Sequence, residues 1–286
     1  MRAPLRLLLA LCGVALLAAG PARAGQAQCW FENGAVVVAA SFGDIAGDFI
    51  VDSTAPRSLL HDDVANSHGV DASTASGDLI IAGERLNGLE MQVVSLNEQE
   101  VGFPTTISGV IGADVLARYV VRIDFAPCRI AFLARPPRRA RRSVRLRVRG
   151  VGGVPAIAAT ASDGTRRRRG LYAVDTASLG VRLAPADTSF SRPLAEGVDP
   201  TLRFRPPARL KALTFGGRIV SDLPAGTLEY PLPGLKGAIG VAVWSRYSLT
   251  MDTREGWLDL APATDTPSPL SSRKGAQRLI RDRRKR

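Results

Sequence analysis

The chain has 286 residues, and 45% of them are hydrophobic, enough to bury one large core or two of ordinary domain size. That share excludes a chain disordered throughout. The formal net charge is +12, of which Arg2, Arg6 and Arg23 carry three, leaving 12 − 3 = +9 beyond residue 24. The excess gathers in Arg135 to Arg149, Arg166 to Arg169 and Arg273 to Arg286. These runs lack interleaved aromatics that could stack bases, which argues against a nucleic-acid partner.

In chain order, Arg2 and Arg6 precede the apolar run Leu7 to Ala19, and Ala22-Arg23-Ala24 supplies a small-x-small cleavage pattern. The run falls short of the roughly 20 apolar residues a membrane-spanning helix needs. Residues 1–24 are therefore read as a signal peptide, and the mature chain is expected in the periplasm or secreted. Cys12 leaves with the leader. Cys29 and Cys128 remain, an even number in a compartment where disulfides persist. Paired, they would close a loop of about 100 residues, worth ~4.7 kcal/mol in the chain-entropy model; two free or separately buried thiols are the alternative. His61 and His68 sit in a polar stretch and are expected at the surface. With no His/Cys cluster at metal-ligand spacing, no metal is expected.

A strand-like run from Gly34 to Phe42 is followed by a Gly- and Asp-rich turn and an apolar strand ending in Asp52. Short apolar runs follow at Leu79 to Ala82, Leu89 to Leu96 and Val120 to Phe125, with a short helix expected around Ala113 to Tyr119. After the basic, Pro-containing stretch 135–150, read as a linker, the same order returns. A run from Val151 to Ala161 precedes a strand ending in Asp175. Further runs span Leu210 to Phe215, Ile219 to Leu228 and Ser248 to Thr253, and a helix is expected around Val241 to Tyr247. Glycines punctuate the runs, among them Gly83, Gly88, Gly102, Gly216-Gly217 and Gly226, and apolar faces of helical period are scarce. The fold class expected is all-β, with lobes at 25–134 and 151–262. The tail 263–286, opening on Pro267-Ser268-Pro269 and ending in clustered Arg and Lys, reads as disordered.

The halves are related by an internal repeat. GVIGADVLARYVVRIDF at 109–125 aligns with GAIGVAVWSRYSLTMDT at 237–253: Gly112 meets Gly240, Arg118-Tyr119 meets Arg246-Tyr247, and Asp124 meets Asp252, all at an offset of 240 − 112 = 128. Upstream, GDFIVDSTAPRSLL at 47–60 aligns with GLYAVDTASLGVRL at 170–183, so Asp52 meets Asp175 at 175 − 52 = 123. Asp124 and Asp252 precede turns at strand ends and are read as structural.

At these residues the chain resembles the retropepsin-like and pepsin-like aspartic peptidases, in particular bacterial exported proteins with two such lobes fused in one chain. The resemblance covers roughly Gly34 to Pro262. Ile50-Val51-Asp52-Ser53 and Ala173-Val174-Asp175-Thr176 match the apolar-apolar-Asp-Thr/Ser turn, and Val110-Ile111-Gly112 and Ala238-Ile239-Gly240 match the segment packed beneath it. It implies two β-barrel lobes with a cleft between them, and an aspartic-type endopeptidase with Asp52 and Asp175 as catalytic pair. Two carboxylates held together share a proton; the ionised one activates a water and the protonated one polarises the scissile carbonyl. No cofactor is needed. By the same resemblance, Ser53 and Thr176 hold the turns in register, and a peptide or unfolded protein is the substrate.

The family's Gly is replaced by Thr54 in the first turn and Ala177 in the second, so the resemblance also admits a degenerate relative that binds extended peptides without cutting them. Lids over the cleft are sought at His68 to Ile81 and Arg192 to Arg209, where ordinary surface loops are the alternative. The chain is expected to be a monomer. Its basic tail could dock on an anionic envelope surface or simply be solvated.

Overall fold

A computed structural model of the protein describes residues 25–32, 34–100, 103–192, 206–229 and 232–263. Residues 1–24, read above as a signal peptide, Gly102, most of the second lid segment and nearly all of the basic tail lie outside the described residues. The first half comprises β1 (Gly25–Glu32), β2 (Ala35–Phe42), β3 (Ile45–Val51), β4 (Leu59–His61), α1 (Asp62–Ser67), β5 (Thr74–Ile81), β6 (Glu84–Val94), α2 (Asn97–Glu100), β7 (Ile107–Ile111), α3 (Ala113–Leu116), β8 (Val120–Phe125) and β9 (Cys128–Leu133). The second comprises β10 (Val144–Val151), β11 (Val154–Ser162), β12 (Arg167–Val174), β13 (Val181–Leu183), β14 (Ala208–Phe215), β15 (Arg218–Thr227), β16 (Leu235–Ile239), α4 (Val241–Trp244), β17 (Tyr247–Asp252) and β18 (Trp257–Pro262).

Each half closes a six-stranded barrel. In the first, the pairings run β2–β3–β7–β4–β6–β5 and back to β2. In the second they run β11–β12–β16–β13–β15–β14 and back to β11. The registers obey the repeat: Phe49 pairs with Gly109 and Tyr172 with Gly237, offsets of 172 − 49 = 123 and 237 − 109 = 128.

A third sheet joins the halves in the order β1–β9–β8–β17–β18–β10. At its centre Arg122 pairs with Thr250, Val121 with Met251 and Ile123 with Leu249. Since 250 − 122 = 128, Arg122 lies opposite its own repeat counterpart, and the pseudo-twofold axis relating the halves passes through that pair. The lobes are thus hydrogen-bonded into one continuous sheet, and a single apolar cluster runs from Phe31 and Phe49 to Trp244 and Leu260.

The stretch 135–150 divides. Residues 135–143 contain no strand or helix, but Val144–Val151 is β10. Leu146 and Val148 are buried while Arg145, Arg147 and Arg149 are exposed, the period-two pattern of a strand with one wet face. The helices α3 and α4 are shorter than expected, each a single turn entered through an extended glycine, Gly112 or Gly240. Cys29 and Cys128 form a disulfide.

His61 corrects the expectation of a surface residue. It is 1% exposed, its Nδ1 lies 2.8 Å from Asp62 and its Nε2 3.2 Å from Glu100. Strand β4 ends there, and the ring turns inward between α1 and α2; His68, past the helix, is exposed. The His61, Asp62 and Asp63 ligating atoms lie within 4.8 Å of one another, but both ring nitrogens are already engaged by carboxylates.

Asp163 organises the β11–β12 turn. Its carboxylate accepts from the Thr165 and Arg166 amides, the Thr165 and Ser189 hydroxyls, and Arg168. The Arg166 amide foremost, then the Ser189 hydroxyl and Thr165, hold this carboxyl far below the usual range. A depressed folded-state value stabilises above the unfolded-state value of about 3.9, and the contribution drains away as pH falls below it. Asp163→Asn is therefore expected to melt lower than wild type near neutrality and to lose less on acidification below about pH 4. Thermal melts across pH check this; parallel pH profiles for the two proteins would contradict it.

Candidate functional site

Asp52 and Asp175 follow directly on β3 and β12, each strand delivering a carboxylate at its end. The Asp52 amide donates to Ile111 O at 3.0 Å and the Asp175 amide to Ile239 O at 2.9 Å, so each turn rests on the parallel strand beside it. Gly112 and Gly240 lie beneath. A Cβ on Gly112 would come within 2.5 Å of the Arg57 carbonyl, and one on Gly240 within 2.4 Å of the Ser178 and Gly180 carbonyls. Close backbone approach, rather than unusual torsion, demands glycine at both places.

The two turns clasp each other. The Ser53 amide donates to Thr176 Oγ1 at 3.1 Å, and the Ser53 hydroxyl donates to Val174 O at 2.5 Å. The Thr176 hydroxyl donates to Val51 O at 2.6 Å, and the two hydroxyl oxygens lie 3.2 Å apart. All these groups are buried, so every bond is made away from competing water. The Val36 amide adds a further tie, donating to Thr176 O at 3.0 Å.

The carboxylates have unequal surroundings. Asp52, 6% exposed, accepts on Oδ1 from the Thr54 amide at 2.7 Å and the Thr54 hydroxyl at 2.5 Å. Asp175 is 0% exposed. Its Oδ1 accepts from the Ala177 amide at 2.8 Å, and its Oδ2 from the Ser178 hydroxyl at 2.5 Å and Arg182 Nη2 at 2.7 Å. Arg182 is itself buried, making this an enclosed ion pair. The residues standing for glycine are also accounted for: the Thr54 hydroxyl turns onto its own aspartate, and Ala177 packs across the lobe boundary against Ala35, Val37 and Ile50.

Asp52, Ser53, Asp175 and Thr176 thus come together, with Gly112 and Gly240 beneath them. Asp124 and Asp252 do not join them. Asp124 pairs with Arg122 and accepts from Ser248 in the shared sheet, and Asp252 accepts the Arg254 and Glu255 amides of a turn. In the first lid segment, 74–81 is β5, and its hairpin turn, Ala82-Gly83, lies against Gly25, at the end of β1 remote from the aspartate turn. A cavity of about 360 Å³ lies elsewhere, on the shared sheet around the pseudo-twofold, lined by Arg122, Asp124, Arg138, Trp257 and Asp259 among others.

Sequence reasoning passed over Arg182 and Ser178. For Arg182 a signal existed. The repeat aligns it with Leu59, since 182 − 59 = 123, and the structure pairs the two at equivalent places, Leu59 with Val110 and Arg182 with Ala238. A charge inside the three-residue buried strand Val-Arg-Leu, where the other lobe carries Leu, marks a departure from the repeat.

Among solved structures, the chain is similar to the aspartic proteinase from Irpex lacteus, with a TM-score of 0.56 and 13% identity over 87% of this chain and 100% of that one. No family model matches the sequence, and no curated protein matches it. The fold is that of the pepsin-like aspartic proteinases: all-β, two barrels on a shared sheet. The likeness does not extend to the bacterial exported type in particular.

Proposed function

We propose that the protein is an aspartic-type endopeptidase, acting slowly on extended peptides or unfolded proteins, with Asp52 and Asp175 as its paired carboxylates. The clasp of Ser53 and Thr176 carries this reading. Four buried contacts between two turns from different lobes serve little purpose in a lone turn, but they fix two carboxylates relative to each other. In the reaction, an ionised carboxylate takes a proton from water as its oxygen adds to the peptide carbonyl. The partner gives its proton to the carbonyl oxygen, and the amine leaves with the proton first taken. The leader and the Cys29–Cys128 bridge support an exported, oxidising location, and the basic tail is assigned to an anionic envelope surface. The protein is read as a monomer.

The test is cleavage of an unfolded protein by the purified chain. Cleavage is expected to be blocked by a statine-type transition-state analogue and to fall by about a hundredfold or more in Asp52→Asn. Undiminished cleavage by that variant would overturn the assignment. Thr54 and Ala177 favour a second reading, in which the cleft holds peptide without cutting it. In that case wild type binds the analogue but cleaves nothing, and Thr54→Gly/Ala177→Gly creates no activity.

A further inference from the structure

The repeat makes the two aspartate turns near copies, so a departure from symmetry beside one of them calls for a reason. The first lobe has Leu59 on β4; at the same register on β13 the second has Arg182. Both strands pack the same way, one antiparallel neighbour and one parallel, and β4 closes its barrel without a charge. The fold therefore does not require the guanidinium. It reaches Asp175 Oδ2 at 2.7 Å, with both side chains buried, while among the described residues its Nε finds no acceptor. A buried donor left without a partner is costly, so the arginine is a net burden on packing unless its charge is used.

Facing carboxylates share a proton because two negative charges at close range cannot both persist. With one proton the pair carries a net charge of −1; with both ionised beside a guanidinium the sum is also −1. We infer that Arg182 supplies, from within the second lobe, the positive charge that a shared proton supplies in an ordinary pair of facing aspartates, so that the pair rests without it. This rests on the peptidase reading above. The consequence is chemical: an ionised carboxylate can still take the water's proton, but at rest no carboxyl holds one to give to the carbonyl oxygen, and turnover waits on the minor, singly protonated form of the pair. Arg182 is a positioning residue that restrains turnover, and peptide can occupy the site without prompt cleavage.

Two measurements test this. Infrared difference spectra between wild type and Asp52→Asn, which leaves the ion pair intact, are taken at about pH 4, where a facing pair ordinarily keeps its proton. Loss of carboxylate bands alone is expected; loss of a protonated-carboxyl band overturns the proposal, whether or not any Arg182 variant folds. Cleavage of unfolded casein is then compared among wild type, Arg182→Leu and Arg182→Lys, each checked for fold by circular dichroism. Arg182→Leu is expected to cleave at least about tenfold faster, since a positioned proton donor contributes 10²–10⁴-fold, and Arg182→Lys to match wild type. A folded Arg182→Leu no faster than wild type overturns the proposal. Adding Asp52→Asn should abolish the gain; a gain that survives it refutes the peptidase reading instead.

Discussion

Arg182→Leu is expected to lower folding stability by about 3–5 kcal/mol, and Asp175→Ala by a similar amount, while Asp175→Ala/Arg182→Leu loses much less than the two single losses added. Asp175 is fully buried and Arg182 nearly so, with 2.7 Å between Nη2 and Oδ2. Removing one partner leaves the other's charge in a low-dielectric interior, and that, rather than the lost attraction, dominates the cost. Removing both leaves no charge to strand. Arg182 also holds a buried Nε without an acceptor among the described residues, a desolvation cost of about 1–3 kcal/mol that the double variant escapes. The apolar precedent for the double variant is Leu59, seated at the equivalent register in a barrel that closes. Urea unfolding of the four proteins supplies the cycle. Additive losses would show that the two groups do not depend on each other, and the charge argument for Arg182 would lose its footing.

Much of the architecture was legible because the chain states it twice. The matched offsets of 123 and 128 reappear as strand registers, down to Arg122 facing Thr250 across the axis. The parts not read are those whose signal was masked by composition. Leu146 and Val148 alternate with arginines, and the density of charge suggested a linker where period two spelled a strand. β1 and β9 were missed for a different reason: GQAQCWFE and CRIAFL alternate weakly, and their pairing, Gly25 with Phe132, joins residues 107 apart, since 132 − 25 = 107. Local pattern cannot report a partner so distant.

The candidate site shows the same division. The residue types at Asp52, Ser53, Asp175 and Thr176 fix what the turns can do, and the sequence carries them openly. What surrounds each carboxylate was not legible, because it depends on which side chains converge in space. Thr54 and Ala177 stood out in the sequence only as replacements of the family's glycine; in space one bonds its own aspartate and the other joins an inter-lobe cluster. The asymmetry that matters came from Arg182, seven residues beyond Asp175, where only comparison with Leu59 singles it out.

Cys29→Ala/Cys128→Ala is expected to lose about 2–5 kcal/mol, a fall in Tm on the order of 10 °C for a chain of this size. The bridge spans a sequence separation of 99, the regime where loop closure weighs most. Its position compounds this. Gln28 is the last β1 residue paired to β9, and Cys29 the first paired to β2, so the cross-link sits where one strand passes from the shared sheet into the first barrel. Cys29 also lies in the core, so part of the loss could arise from native packing instead. Where β1 and β9 pair before the rate-limiting step, kinetics separate the two origins: a constraint on the unfolded chain, once removed, slows refolding and leaves unfolding nearly unchanged, whereas lost packing at Cys29 speeds unfolding. The geometry favours the first, because the Cys128 end is only half-buried and alanine keeps the Cβ at both ends. An unfolding rate that rises by the full equilibrium loss would instead assign the bridge's contribution to interactions made after that step, native-core contacts among them.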